Sequence, residues 1–345
     1  MKVRAHAAHG PDQPLEPFAF ERRSPGERDV EIAIEHCGIC HSDIHFARDE
    51  WGLTTYPCVP GHEIIGRVTT VGGAVTKHVV GDLVGVGCLV DSCRTCRSCE
   101  EGLENFCETG FTLTYGTVFE DGTSTYGGYA SHIVVDEDFV LKVPASLDPA
   151  GAAPLLCAGI TTYSPLRHVG LSSGDRIAIV GLGGLGHMAV KLAHAMGAEV
   201  TVFSRSASKA EDARRLGADH FVLSSQEGAL DPYQGHFAFV LNTVSAPHDL
   251  TGPLNSLRRD GTMIMVGASP DPLPLPTFPL LFGRRTVLGS LIGGLPETQE
   301  MLDFCGDHGI VSDIETIDPT RINEAYERTL ASDVKYRFVI DCTQM

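Results

Sequence analysis

Short apolar and β-branched runs, each ended by Gly or Pro, recur through the first 149 residues of the chain. Residues 30–34 read Val-Glu-Ile-Ala-Ile and residues 64–68 read Ile-Ile-Gly-Arg-Val. Runs of this length between turn residues indicate strands. We therefore expect residues 1–149 to form a distorted β-barrel domain.

The pattern changes near residue 150, where strand-like apolar runs begin to alternate with helical stretches. The strand candidates are residues 176–180, 200–203, 237–241 and 262–266. Alternation of this kind predicts a parallel, doubly wound sheet, which assigns residues 150–289 to an α/β domain. We expect the tail, residues 290–345, to return to the first domain and complete it.

Length and charge narrow the class of protein. The chain has 345 residues, more than one hydrophobic core usually serves, which agrees with two domains. A formal net charge of -18 argues against nucleic acid as a partner. The N-terminus lacks the apolar segment of a secretory signal, and no apolar stretch is long enough to span a bilayer. We expect a cytoplasmic protein with no membrane partner.

Four of the eleven cysteines lie close together in a lobe near residues 87–110. Cys93, Cys96, Cys99 and Cys107 have the spacing C-x2-C-x2-C-x7-C, which lets one short segment wrap a tetrahedral metal. Four thiolates leave no open position for a substrate, so the pattern predicts a structural zinc site. An iron–sulfur cluster and disulfides are the alternatives. The number of thiols fits a reducing compartment.

Three further residues, far apart in the sequence, offer a second ligand set. Cys40 lies in Gly-Ile-Cys-His-Ser-Asp, His62 in Gly-His-Glu and Cys157 in Leu-Leu-Cys-Ala-Gly. Two thiolates, one imidazole and an open fourth position are typical of a catalytic zinc. Taken singly, each residue is more often a buried cysteine or a hydrogen-bonded histidine than a ligand.

A glycine-rich loop follows the apolar run at residues 177–180. It consists of Gly181, Leu182, Gly183, Gly184, Leu185 and Gly186, and a helical stretch at 187–196 and a second strand at 199–203 come next. The order strand, tight turn, helix, strand is that of a dinucleotide-binding unit, in which the helix N-terminus holds a pyrophosphate.

The residues after the second strand indicate which dinucleotide is bound. An NAD site usually has Asp or Glu there, whereas this chain has Ser204, Arg205, Ser206 and Lys209, with no carboxylate before Glu211. Hydroxyl groups and two cations suit a 2′-phosphate. We predict NADP(H); the alternative is that Arg205 and Lys209 are solvated surface charges.

Together these motifs resemble the zinc-dependent medium-chain dehydrogenases/reductases, most closely the cinnamyl alcohol dehydrogenase group and its bacterial aldehyde reductase relatives. The resemblance runs nearly end to end. It implies a GroES-like catalytic domain (1–149 and 290–345) and a Rossmann cofactor domain (150–289). The segments that show this resemblance are GICHSDIH at 38–45, YPCVPGHEIIG at 56–66, GCLVDSCRTCRSCEEGLENFC at 87–107, STYGGYA at 124–130, LLCAGITTY at 155–163 and GLGGLGHMAVK at 181–191.

The resemblance also implies roles for individual residues. Cys40, His62 and Cys157 match the catalytic zinc ligands, and Glu63 matches an occasional further ligand. Asp43 matches the carboxylate that orients the zinc-bound imidazole.

A second group of matches concerns the cofactor, the proton path and the substrate. His41 matches a contact to the cofactor pyrophosphate, and Ser42 and His45 match the inner and outer ends of a proton relay. Trp51 lies where the family places a pocket-lining side chain, although an anchor in the core or an interface is an equal alternative. The positions that match the nicotinamide side are Thr161, Thr243, Gly267, Ser290, Leu291 and Ile292.

The activity that follows is hydride transfer between NADP(H) and a primary alcohol or aldehyde, aromatic or medium aliphatic, with two zinc ions per chain. A homodimer is expected, with the Pro-rich residues 271–276 near its interface by resemblance. The alternatives are reduction of another electrophile such as an iminium, and a non-enzymatic zinc redox sensor. A zinc-independent quinone or enone reductase would lack the ligands that this chain carries.

Overall fold

A computed structural model describes residues 1–269 and 271–345. In chain order its strands are β1 (Lys2–Ala7), β2 (Glu16–Glu21), β3 (Asp29–Gly38), β4 (Ile64–Val71), β5 (Leu83–Val86), β6 (Leu89–Asp91), β7 (Thr112–Leu113), β8 (His132–Asp136), β9 (Leu141–Lys142), β10 (Arg176–Val180), β11 (Glu199–Ser204), β12 (His220–Leu223), β13 (Phe237–Asn242), β14 (Leu257–Met265), β15 (Thr286–Gly289), β16 (Ile314–Ile317) and β17 (Arg337–Asp341).

The α-helices connect these strands or lie beside them. They are α1 (His41–Ala47), α2 (Arg97–Glu100), α3 (Pro149–Ala152), α4 (Ala158–His168), α5 (Gly186–Ala195), α6 (Ala210–Arg215), α7 (Thr251–Ser256), α8 (Thr277–Gly283), α9 (Leu295–His308) and α10 (Ile322–Leu330). In the described ranges, no helix is both long and apolar enough to cross a membrane.

The chain divides into two compact units, residues 1–160 with 293–345, and residues 161–292. The boundaries that we drew from the sequence lie earlier, after residues 149 and 289. Residues 150–160 belong to the first unit because α3 and the 3₁₀ turn Ala153–Leu156 pack against its strands β3 and β4. This turn ends next to Cys157.

The first unit is built on a seven-stranded sheet of order β16-β17-β3-β4-β5-β9, with β8 also paired to β3. β3 is the longest of these strands, and its burial alternates along much of its length, as expected for a strand with one face on the core. Strands β16 and β17 come from the tail of the chain and extend this sheet. The tail is therefore an integral part of the first unit.

The second unit is a parallel sheet of order β12-β11-β10-β13-β14-β15. This is the doubly wound order of dinucleotide-binding domains, with the first strand, β10, next to the point where the order reverses. The strands β10 and β13 are almost wholly buried, as parallel strands covered on both faces should be. The structure therefore confirms the predicted α/β class and its parallel sheet.

Candidate active site

The four-cysteine lobe occupies the chain between β6 and β7. One ligand atom from each of Cys93, Cys96, Cys99 and Cys107 lies within 4.8 Å of the others. Cys93 Sγ is 3.9 Å from Cys99 Sγ, and Cys96 Sγ is 3.5 Å from Cys99 Sγ. The short helix α2 and the 3₁₀ turn Glu104–Phe106 bring these thiols together.

Backbone N–H groups of the lobe point at its sulfur atoms. The N–H of Cys96 donates to Cys93 Sγ (3.3 Å), and the N–H of Glu108 donates to Cys96 Sγ (3.4 Å). Hydrogen bonds from the N–H groups of Thr95 and Cys96 lower the pKa of Cys93 to about 5. Four clustered thiols, one of them favoured as thiolate, fit a closed structural zinc site.

Arg94 attaches this lobe to the neighbouring β-structure. Its guanidinium donates to Asp91 (2.9 Å), Asp136 (3.1 Å) and Asp138 (3.2 Å), and it lies over the ring of Phe139 at 5.0 Å. The ion pairs are partly solvated, so their contribution to stability is modest.

The second ligand set is assembled from three separate segments of the first unit. Cys40 precedes α1, His62 and Glu63 precede β4, and Cys157 follows the turn Ala153–Leu156. One ligand atom from each of these four residues lies within 4.8 Å of the others, and the two sulfur atoms are 3.8 Å apart. The ring of Tyr115 stacks on His62 at 5.7 Å.

His62 carries an observation that points to a metal at this place. Its Nε2 is buried and has no hydrogen-bond partner among the residues that the structure describes, whereas its Nδ1 lies 3.3 Å from Asp43 Oδ1. An unpaired imidazole nitrogen next to two thiols is costly unless a cation occupies the site. The donor set, two sulfurs and one nitrogen, fits a catalytic zinc.

Asp43 joins the segments that carry these ligands. It lies in the first turn of α1, where its carboxylate accepts the N–H of Cys40 (2.8 Å) and the N–H of Gly61 (3.0 Å). Gly61 has φ 105°, and a Cβ there would meet the ring of Tyr129 and Cys37 Sγ within 2.8 Å. Glycine is therefore required immediately before His62.

Glu63 is fully buried and forms an ion pair with Arg337, the first residue of β17. Burial raises the pKa of Glu63 to about 7, although the Arg337 guanidinium opposes this rise. The Glu63 side chain also occupies the space where a Cβ at Gly38 would lie. The ion pair fixes a carboxylate at the edge of the metal site.

Arg337 and Cys88 are two neighbours of this site to which the sequence analysis gave no role. Cys88 Sγ lies 3.8 Å from the carbonyl oxygen of Leu156, and a hydrogen bond with Cys157 lowers the pKa of Cys88. A cysteine five residues before the next metal-binding residue, Cys93, gives no signal of its own. The Arg at the head of an apolar strand gives none either.

The predicted relay residues lie on or next to α1. Cys40 Sγ is 3.7 Å from Ser42 Oγ, and His45 Nδ1 is 2.5 Å from Glu50 Oε2. Trp51 is 40% exposed and lies against the ring of His45 at 4.9 Å. Burial lowers the pKa of His41. Ser42 is therefore next to a metal ligand, whereas His45 contacts Glu50 and the partly exposed Trp51.

The glycine-rich loop joins β10 to α5, as the sequence predicts. Gly181 has φ 92°, and a Cβ there would meet Thr243 Oγ1 and Val244 at 3.0 Å. A Cβ at Gly183 would meet nothing within 4 Å, so backbone is accessible at this point of the turn. This geometry fits the close approach of a pyrophosphate.

The remaining cofactor candidates of the second unit follow the carboxyl ends of its strands. Thr243 comes after β13, Gly267 two residues after β14, and the segment Ser290, Leu291 and Ile292 after β15. Thr243 Oγ1 donates to Val180 O at 2.8 Å, next to the glycine loop. Ligands of open α/β sheets bind at this edge. Thr161 is buried within α4.

The predicted 2′-phosphate residues lie at the same edge, directly after β11. The N–H of Ser206 donates to Ser204 Oγ (3.3 Å), and Arg205 is exposed. Lys209 Nζ donates to Leu182 O of the glycine loop at 2.7 Å, and burial lowers its pKa. These groups are therefore close to the proposed pyrophosphate position.

A doubly wound dinucleotide sheet, a closed four-thiol set and an open Cys–His–Cys set together define a zinc- and nucleotide-dependent oxidoreductase. Residues 184–307 match the family model of the zinc-binding dehydrogenases, and residues 26–145 match that of the alcohol dehydrogenase GroES-like domain. The chain belongs to the zinc-binding dehydrogenase family. This confirms the resemblance stated from its motifs.

Proteins similar to this chain along its whole length carry consistent names. The NADP-dependent alcohol dehydrogenase C 1 of Mycolicibacterium smegmatis is 55% identical over 344 residues, 99% of either chain. The aldehyde reductase YahK of Escherichia coli is 55% identical over 99% of this chain and 98% of its own. A cinnamyl alcohol dehydrogenase of Sorghum bicolor superposes with a TM-score of 0.96, at 45% identity over 99% of this chain and 98% of that one.

Proposed function

We propose that the chain is a zinc-dependent, NADP(H)-dependent alcohol dehydrogenase that reduces aldehydes to primary alcohols. One observation carries this proposal: the buried, unpaired Nε2 of His62 lies among the thiols of Cys40 and Cys157. When bound there, zinc supplies Lewis acidity toward a carbonyl oxygen and NADPH supplies the hydride.

The residues around this ligand set suit proton transfer and substrate binding. The Ser42 hydroxyl, adjacent to Cys40, is positioned to give a proton to the substrate oxygen, and His45, one turn further along α1, exchanges that proton with solvent. Trp51, with its half-exposed indole against His45, provides an apolar wall that favours aromatic or medium aliphatic aldehydes. Arg337 compensates the charge of the buried Glu63 carboxylate beside the ligand set.

The loop after β11 supports NADP(H) as the cofactor. Arg205 is exposed at the sheet edge where ligands bind, and the hydroxyls of Ser206 and Ser208 lie beside it, 2.8 Å from each other. Guanidinium and hydroxyl groups suit a dianionic phosphate, whereas a ribose 2′-hydroxyl would call for a carboxylate.

The activity is tested by the initial rate of cofactor oxidation with benzaldehyde, cinnamaldehyde and butanal, with NADPH and NADH in parallel, on protein of measured zinc content. We expect faster oxidation of NADPH, lost on chelation. The double substitution Ser204→Asp with Arg205→Ala should lower the NADPH-to-NADH ratio of kcat/KM by about 100-fold, because a carboxylate repels the 2′-phosphate. If protein with two zinc ions per chain turned over none of these aldehydes, the alcohol dehydrogenase activity would be contradicted. Reduction of another electrophile, such as an iminium, would then be favoured.

The edge of the parallel sheet supports a homodimer. β15 is the outermost strand of that sheet, and the preceding helix α8 exposes three large apolar side chains, Phe278, Leu281 and Phe282, by 68%, 73% and 87%. Exposed apolar residues next to an open strand edge are what a second copy of the same chain would cover. Phe282→Glu should convert a dimer to a monomer in analytical ultracentrifugation; an unchanged mass would contradict this interface.

The thiols support a cytoplasmic location. None of the eleven cysteines forms a disulfide across the described ranges, and six of them belong to the two ligand sets. Thiol-rich proteins of this kind persist in a reducing compartment.

A further inference from the structure

The Asp43 carboxylate accepts hydrogen bonds from several segments of the chain. Its side chain is fully buried, and it lies next to the N–H groups of Cys40 and Gly61 and to His62 Nδ1. Tyr129 adds a further donor: its hydroxyl lies 3.2 Å from Asp43 Oδ2. Tyr129 comes from a segment 86 residues further along the chain.

The backbone holds Tyr129 in a fixed relation to the turn that bears His62. The N–H of Tyr129 donates to Pro60 O (3.0 Å), and the N–H of Gly128 donates to Gly61 O (2.8 Å). The ring of Tyr129 is completely buried and lies directly beside Gly61, where a Cβ would come within 2.7 Å of it. The hydroxyl therefore reaches Asp43 from a rigid position rather than from a mobile side chain.

A second buried tyrosine lies behind the first. Tyr326 of α10 donates from its hydroxyl to the Tyr129 oxygen at 3.5 Å. Burial is the largest cause of a raised pKa for both phenols, so both remain protonated and able to donate. The order of contacts is Tyr326, Tyr129, Asp43 and His62, from the tail of the chain to a metal ligand.

We propose that Tyr129 is a positioning residue of the active-site metal centre, whose hydroxyl holds Asp43 in the orientation that receives His62 Nδ1–H and so directs Nε2 into the ligand set. The inference rests on the proposed function only in taking zinc as the metal of that set. Without the hydroxyl, Asp43 Oδ2 loses one of its donors while the N–H groups of Cys40 and Gly61 still hold the carboxylate, so Asp43 is fixed less tightly against His62.

The test compares Tyr129→Phe with Tyr326→Phe, since each removes one buried hydroxyl and keeps the ring. Zinc affinity of the apoprotein is measured by competition with a chromophoric chelator, which requires no turnover. Residues that support metal ligands typically change metal affinity by 10–100-fold, so we expect Tyr129→Phe to weaken the active-site zinc by about tenfold. Tyr326→Phe, one step removed, should change it by less than about threefold. Zinc in the four-cysteine lobe should bind unchanged in both.

Two further measurements separate positioning from packing. The visible spectrum of the cobalt-substituted site should shift in Tyr129→Phe and not in Tyr326→Phe, because only the former alters the ligand geometry. In an Asp43→Asn background, Tyr129→Phe should have little further effect on zinc affinity, as expected for residues that act in series. Unchanged affinity in Tyr129→Phe, an equal loss in both phenylalanine variants, or an undiminished loss in the Asp43→Asn background would each overturn the proposal.

If Tyr129→Phe does not fold, the proposal can still be tested with a label on Tyr129 itself. With 3-fluorotyrosine at position 129, the fluorine resonance should shift when zinc is added to the apoprotein, because His62 and Asp43 then become fixed. The same label at position 326 should shift less. A resonance at 129 that does not respond to zinc overturns the proposal, and aldehyde turnover remains a separate question.

Discussion

The two metal sites of the first unit are built in opposite ways. The four-cysteine site takes all its ligands from residues 93–107, and most of them are partly exposed. The second set takes its ligands from three segments, is supported by Arg337 from the tail, and is mostly buried. Backbone N–H groups face the sulfur atoms of the first, whereas the side chains of Asp43, Glu63 and Arg337 surround the second.

The two sites therefore depend on different interactions for their geometry. In the lobe, local chain geometry places the thiols, and metal binding is the free energy that folds the segment. In the active site, the surrounding sheet places the ligands, and the buried charges must balance one another. Loss of metal should therefore unfold the lobe locally but leave the framework of the active site in place.

The largest expected effect comes from removing the imidazole of the second set. His62→Ala should lower kcat/KM for aldehyde reduction by more than about 1,000-fold, since a Lewis acid supplies several kcal/mol to the barrier. Zinc should fall from two to one per chain by mass spectrometry. Exposed His308 offers a matched control, and His308→Ala should retain both ions. A His62→Ala protein with two zinc ions would contradict the assignment.

The next effect tests the charge balance around the second set. Arg337→Met leaves the Glu63 carboxylate buried without its partner, so the free energy of unfolding should fall by about 3 kcal/mol in urea titrations. Combining it with Glu63→Gln should recover more than half of that loss, because neither member of the ion pair then leaves an unpaired buried charge. Equal stability of the single and double variants would argue against this pairing.

Removing one lobe thiol should affect stability more than chemistry. Cys99→Ser should lower the free energy of unfolding by about 2 kcal/mol and release one zinc, because a ligand of a folding-coupled site is lost. Turnover per active-site zinc should stay within about threefold of that of the unsubstituted enzyme, because a closed four-thiolate site has no contact with the substrate. Ser98→Ala, one residue away, is the control. Two retained zinc ions with an unchanged Tm would exclude the structural role of Cys99.

The smallest effect concerns how the lobe is attached. Arg94→Ala removes partly solvated ion pairs and one cation–π contact, so it should cost less than about 1 kcal/mol. The cost should shrink further in 1 M salt, which screens exposed charges. A loss larger than that of Cys99→Ser would show that the attachment of the lobe matters more than its metal.

The same contrast explains what could be predicted from the sequence. The cysteine spacing alone predicts the four-cysteine lobe. The glycine loop, with its flanking strand and helix, could also be predicted, because all its parts are adjacent in the sequence. The parallel sheet followed from alternating apolar runs. β14 begins at Leu257, earlier than predicted, because Arg258, Arg259 and Asp260 are exposed and break the apolar pattern there.

The supporting contacts of the active site could not be predicted, because they join distant segments. Arg337 and Glu63 are 274 residues apart, and Tyr129 and Asp43 are 86 residues apart. A lone Arg in an apolar strand and a Tyr between Gly and Ala carry no local signature of these roles. Roles taken from the family resemblance, such as those of His41 and Thr161, remain predictions.

The position of β17 has a consequence for the order in which the protein is made. Residues 161–292 form a continuous stretch, so the second unit can fold while the ribosome is still adding the rest of the chain. The first unit is interrupted by that stretch, and more than 270 further residues are synthesised after Glu63 before its partner Arg337. During translation, the sheet that carries the metal ligands therefore stays incomplete, with the edge of β3 that later pairs with β17 still exposed.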